Sequence, residues 1–384
     1  MGLVTLAHGQ GQVSGKVLDK QTRQPVPYAS VVITGTTTGT TCNADGEFAL
    51  EVARIPTKVL AFSLGYGRDS VLVTAAGALP ALTLASAPIQ LPTVEPASYA
   101  AGLLAHAYRQ LQRSQAKFAY GQAFYRQLTR NGDEPTEVLE AVWDTKTSSA
   151  GLAGTRLAQG RYAYRKTLMN FTNFTTYTKV VGGFCGISAT DTINSHAVVS
   201  PDAARLYILQ YKGLTQSNGR QVAEIAFVSR PSIPVVSGSV FIDLASYQVL
   251  HARATRPLTM HISKAGFTAK DAVVSMEADF KPQAAGAALN YVKTSSSLIM
   301  GQPHKPDVPV RAESFAFFYD QRPVPTGLPY TGSDNATGDL AAIKQKAYDP
   351  TFWCNNPVVK RTPLEDEVIR SFEQQKAFGT LFDK

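Results

Sequence analysis

Six histidines are the chain's candidate metal ligands and general bases, and their neighbours decide which chemistry is available. A zinc peptidase needs His and Glu at HxxE spacing, so that both reach the metal from one face, and a second His to complete the site. Three places beyond His8, His106, His196, His251, His261 and His304 stand Gly11, Arg109, Val199, Ala254, Lys264 and Asp307. Only His304 has a carboxylate there, and Pro306 interrupts the pair within a Pro-rich loop. His304 therefore reads as a solvated loop residue, and neither a metal nor another cofactor is expected. Ser63 imitates a nucleophile elbow between Ala61 and Gly65, but an elbow needs a helix after the serine, and Arg68 to Thr74 alternates like a strand. No Gly-Lys-Ser or Gly-Lys-Thr occurs and no GxGxxG follows a strand, so phosphate transfer and dinucleotide chemistry lack support. Linear order does not say whether His196, His251 or His261 meets a Ser or Asp in space. Three cysteines make neither a disulfide framework nor a zinc knuckle. In an oxidising compartment Cys185 and Cys354 are the pair that could close, leaving Cys42 free.

Charge offers a binding surface instead. The net charge is +8, yet Gln10 to Glu95 holds six cations against six acids, so the excess lies beyond it. Ser98 to Gly132 carries Arg109, Arg113, Lys117, Arg126 and Arg130 and no acid. Arg109, Arg113 and Lys117, at i, i+4 and i+8, form a basic stripe on one helix face. They are the expected ligand-binding residues for an anionic partner such as envelope lipid or polysaccharide. A solvated helix face is the plain alternative. Nucleic acid is not expected as a partner, because no reader motif accompanies the charge. Tyr162, Tyr164, Phe171, Phe174 and Tyr177 crowd a polar stretch and could line a groove for a sugar or lipid, although packed strand faces are the commoner use of such residues.

The elements that must position these residues are mostly strands. At 384 residues there is room for two or three domains of about 100 to 200 residues each, and 44% hydrophobic residues can fill their cores. No run approaches the roughly 20 apolar residues of a membrane-spanning helix. Leu3 to Ala7 reads as the end of a secretory apolar region, which makes residues 1–9 a residual signal-peptide-like segment. In Gly15 to Leu50, Val13, Gly15 and Val17 alternate with polar neighbours, DKQTRQPVP turns the chain, Ser30 to Ile33 runs apolar, and Asn43, Asp45 and Gly46 make a turn before Phe48 and Leu50. These residues resemble the carboxypeptidase regulatory-like domain family. Its pattern is met by Gly15, Val17, Asp19, Thr22, Pro25, Ala29, Val31, Asp45, Gly46 and Phe48. The resemblance implies an immunoglobulin-like or prealbumin-like β-sandwich over residues 10–84, a structural appendage and not a catalytic module, in a cell-envelope protein.

ASAPIQLPTVEPA then reads as a Pro-rich linker, residues 85–97. A helix is expected over 98–116, capped by Ser98, with Leu104, Tyr108 and Leu111 as its apolar stripe. Asn131-Gly132 and Asn218-Gly219 signal two hairpins. Further strand-like runs without βα alternation predict one large antiparallel curved sheet or half-barrel within residues 98–384. Gly238 to Ala252 resembles a strand pair of lipoprotein-carrier-like half-barrels, which implies a lipid-accepting sheet. Thr362-Pro363-Leu364-Glu365 is a capping box opening a C-terminal helix over 363–378, with Leu364, Val368 and Phe372 as its stripe. Tyr348 to Lys360 and this helix resemble the C-terminal part of envelope proteins that carry the same front domain. The expected chain is mainly β and non-enzymatic: a periplasmic or outer-membrane-associated binding or attachment module for an amphipathic or anionic ligand or another envelope protein. A secreted hydrolase with an unrecognised site and a purely structural surface protein are the alternatives.

Overall fold

In the computed structural model, the described residues are 11–87, 97–165, 169–171, 174–179, 184, 196–259, 266–322, 330, 338–355 and 358–378. They divide into two units, the first made of residues 1–90, 214–222 and 350–366, and the second of the remainder.

The first unit begins with the expected alternation. Strands β1 (Gly11–Asp19), β2 (Ser30–Ile33), β3 (Gly39–Thr41), β4 (Glu47–Val52), β5 (Thr57–Phe62), β6 (Arg68–Val73), β7 (Gly77–Ala78) and β8 (Leu82–Leu84) form two small sheets. One has the order β4-β1-β7 with β8 also on β1, the other β3-β2-β5-β6. Val13, Val17, Val31, Phe48, Val59 and Leu84 are fully buried in the shared core. The motif residues build the turns. Asp19 Oδ1 accepts hydrogen bonds from the amides of Gln21 (2.8 Å) and Thr22 (2.7 Å), and these amides hold its carboxyl below the usual range. Asn43 Oδ1 accepts from the amides of Asp45 and Glu47, both at 2.9 Å, and Gly46 takes the left-handed φ of 71° that this turn requires. Gly15 pairs with Phe48, and a Cβ there would stand 2.8 Å from the Phe48 ring. The sandwich is not wholly antiparallel, because β7 and β8 both pair parallel to β1. Ser63 lies in the turn between β5 and β6, so a strand and not a helix follows it.

Distant segments complete this unit. The amide of Gly65 donates to Gln216 O (2.9 Å) and Thr215 Oγ1 to Ala87 O (2.9 Å). Thr40 Oγ1 donates to Val358 O, Asn43 Nδ2 to Arg361 O, and Lys360 Nζ lies 2.9 Å from Glu47 Oε2. Of the Pro-rich linker, residues 88–96 lie outside the described residues.

The second unit opens with α1 (Ala97–Ser114), followed by β9 (Ala119–Asn131), β10 (Glu134–Ser148), β11 (Gly151–Tyr164), α2 (Thr175–Lys179) and α3 (Ala203–Leu206). Then come β12 (Tyr207–Ser217), β13 (Arg220–Ser229), β14 (Ser237–Asp243), β15 (Val249–Pro257), β16 (Thr268–Lys281), β17 (Ala288–Gln302), β18 (Lys305–Arg322), α4 (Gly338–Lys344), α5 (Pro350–Asn355) and α6 (Pro363–Gln374), of which α5, the end of β12, the start of β13 and the first turn of α6 fall in the first unit. Ten strands form one sheet in the order β11-β10-β9-β18-β17-β16-β15-β14-β13-β12. Two meanders are therefore joined where β18 pairs antiparallel with β9. Both Asn-Gly pairs sit at hairpin turns, with positive φ at Gly132, Asn218 and Gly219.

Both helix expectations need correction at their edges. Ser98 lies inside the first turn of α1, so it is not the cap. The buried stripe of α1 is Ala100, Leu103, Leu104, Ala107 and Leu111, with Tyr108 only partly buried. α6 has its reciprocal capping box, Thr362 N to Glu365 Oε2 (2.7 Å) and Glu365 N to Thr362 Oγ1 (3.1 Å). It stops at Gln374, four residues early, because Lys376 turns left-handed (φ 52°) while Lys376 N reaches Glu373 O and Ala377 N reaches Phe372 O, a Schellman closure. Val368, Ile369 and Phe372 pack with Val138 and Ala163, whereas Leu364, in the first turn where side chains point back toward the helix start, is 49% exposed.

Candidate functional site

Strand register gives the large sheet two chemically distinct faces. Ala254 opposes Met276 and Arg256 opposes Val274 on one face, while Arg253 opposes Glu277 and His251 opposes Asp279 on the other. Over the first of these faces lies a cleft of about 400 Å³. Ala254, Val274 and Met276 line it from the sheet, Phe227 and Tyr207 from the neighbouring strands, Tyr177 and Phe184 from the segment after β11, and Ile233 to Val236 from the β13–β14 loop. Short side chains at Ala254 and Val274 keep its floor low. Its polar groups are few: Arg256 and His196, both exposed, Thr255, and the Tyr207 hydroxyl, which donates to His196 O. Burial pushes the Tyr207 phenol above its usual value, which keeps it neutral. A few polar groups around an apolar hollow of this size fit a small amphipathic ligand.

A buried carboxylate anchors the segment from which Tyr177 reaches that cleft. Glu137 accepts from Thr129 Oγ1 (2.7 Å), Tyr162 OH (2.8 Å) and the Phe171 amide (3.0 Å), while Gln127 Nε2 donates to Phe171 O (3.1 Å). Burial and the Glu137 charge push the Tyr162 phenol upward. Phe171 and Phe174 then pack on Leu298, Val310 and Ala312, and Lys179 Nζ pairs with Asp339 Oδ1 at 2.7 Å beyond α2. Of the five aromatic residues singled out in the sequence, only Tyr177 lines the cleft.

Arg109, Arg113 and Lys117 are all exposed along and just beyond α1, and none lines the cleft. His251 Nδ1 is 3.2 Å from Asp279 Oδ1 and its Nε2 is 3.7 Å from Glu277 Oε1, so both ring nitrogens face carboxylates. Glu277 also accepts from Tyr291 OH, and Asp279 from Asn290 Nδ2. His304 sits in the β17–β18 turn at φ 59°, and Asp307 pairs with Lys270 at 3.0 Å. Burial raises the Cys42 thiol, Cys354 is exposed, and Cys185, with its suggested pairing, lies outside the described residues, as does His261. No helix among the described residues is long and apolar enough to cross a membrane. Apart from Tyr177 and His196, the cleft residues are not singled out by the sequence, because they come from segments scattered over a hundred positions. The apolar run Ile233-Pro234-Val235-Val236 between two strands, of which Pro234 and Val235 are exposed and Ile233 is buried, is the available signal.

The chain is mainly β, with a small two-sheet sandwich followed by a helix and a wide ten-stranded antiparallel sheet. Residues 13–94 are a CarboxypepD_reg-like domain. No curated protein matches the chain. Among solved structures, a 9R-lipoxygenase from Cyanothece PCC8801 is similar over 46% of this chain and 46% of its own length, at 9% identity and a TM-score of 0.17, which carries no argument for fold or function.

Proposed function

We propose that the chain is a non-enzymatic binding protein of the cell envelope whose ten-stranded sheet holds an amphipathic ligand, with an apolar body in the cleft and an anionic head near Arg256. The observation that carries this reading is the cleft of about 400 Å³ walled by Phe227, Val274, Met276 and the Ile233–Val236 loop. Envelope residence is supported by the front module, whose resemblance is to structural appendages of envelope proteins. Met276→Trp, which fills the floor, should weaken binding of a fluorescent single-chain fatty acid roughly tenfold or more while the unfolding midpoint stays near that of the wild type. Equal affinity in the folded variant would remove the cleft as the binding site.

A further inference from the structure

We infer that the Ile233–Val236 loop is a membrane-contacting lip that docks the cleft mouth on an anionic bilayer, the surface with which the ligand exchanges. This rests on the cleft reading for the ligand but not for the docking itself. Val235 is 65% exposed, the most exposed large hydrophobic residue among the described residues, and it belongs to the loop that walls the cleft. An apolar ligand leaving the cleft past Pro234 and Val235 would cross little water if those residues were already seated at the acyl boundary of a bilayer. Charge selects the kind of bilayer. Arg230, at the base of the loop, and Arg256, on the cleft wall, are exposed, and neither forms an ion pair among the described residues. The sequence around them contains no acid from Arg230 to Ile242 or from Leu244 to Lys270. An exposed arginine on the cleft wall, another at the base of the loop and an apolar tip between two strands are features that bind anionic headgroups while inserting side chains beneath them.

The test is cosedimentation of the full chain with phosphatidylcholine vesicles containing about a quarter phosphatidylglycerol, and with phosphatidylcholine alone. Val235→Asp, at an exposed position, should lower partition to the anionic vesicles roughly tenfold, and Arg256→Gln should remove most of the preference for them at low salt. Arg230→Gln, at an exposed residue outside the cleft lining, should lower partition to the anionic vesicles while binding of the soluble fatty-acid probe stays within about twofold of the wild type. Replacing Arg109, Arg113 and Lys117 with Gln should leave vesicle binding unchanged. Equal sedimentation of Val235→Asp and wild type overturns the lip, as does loss of vesicle binding on the α1 triple replacement alone. If the wild type takes up no fatty-acid probe and Val235→Asp still releases the vesicles, the cleft reading fails and the lip stands.

Discussion

In the sandwich, buried polar groups shape turns: Asp19 and Asn43 each collect two backbone amides, and the core between the sheets is mostly valine and leucine. In the large sheet, buried polar groups include whole charges. Glu140, 1% exposed, accepts from Arg126 Nε at 2.7 Å and Arg161 Nε at 2.7 Å, and Arg161 continues to Glu373 Oε1 at 3.0 Å while stacking over Phe378. The sandwich is thus held by apolar burial with backbone capping, a pattern local enough to be written in a short motif. Charges facing one another across three strands exist only once the strands are paired, and each depends on its partner to offset its desolvation.

The sharpest way to break that contrast is to remove one charge from the sheet. Glu140→Ala leaves Arg126 and Arg161 buried without their shared carboxylate, and should cost about 3 to 5 kcal/mol in urea unfolding. A loss below about 1 kcal/mol would mean that water reaches the pair and that it behaves as an exposed one.

Next in size is a backbone test in the sandwich. Gly46 has φ 71°, and a Cβ there would stand 2.6 Å from Val17 O. Gly46→Ala should therefore destabilise by about 1 to 3 kcal/mol without removing a single contact. Wild-type stability in this variant would show that the turn relaxes freely, and the sandwich would lose its claim to be specified by turn chemistry.

These two sites also show what the sequence discloses. Gly46 was legible, since Asn43, Asp45 and Gly46 precede an alternating strand and only one turn geometry suits them. The Thr362–Glu365 box and both Asn-Gly hairpins were legible for the same reason: each is a bond pattern closed within four residues. β11 carries no comparable signal, because its run of Gly, Ala, Gln and Arg lacks the β-branched density that marks a strand. The pairing of β18 with β9 spans most of the second unit and leaves no local trace, and neither the Glu140 charges nor the cleft can be seen before that pairing is known. The basic stripe was legible as helix spacing, and the structure places it in solvent, away from the cleft lining.

The smallest expected effect carries a pH signature that separates the two kinds of polar group. Glu47 is held below its ordinary value of 4.5, first by the hydrogen bond from Lys360 and then by that residue's charge. A carboxylate whose folded pKa is depressed contributes stability above its unfolded pKa, and loses it as pH falls through the folded value. Both side chains are partly solvated, 28% and 40% exposed, so the pair is worth about 0 to 1 kcal/mol and is weakened by salt. Lys360→Met keeps most of the aliphatic stem and removes the charge. The stability difference between this variant and the wild type should be present at neutral pH, shrink in high salt, begin to fall as pH drops past 4.5, and vanish once pH is below the depressed value at which folded Glu47 takes up its proton. A difference that persists unchanged in acid would assign the effect to packing of the 358–361 segment on the sandwich, and the charge pair would then add nothing to that attachment.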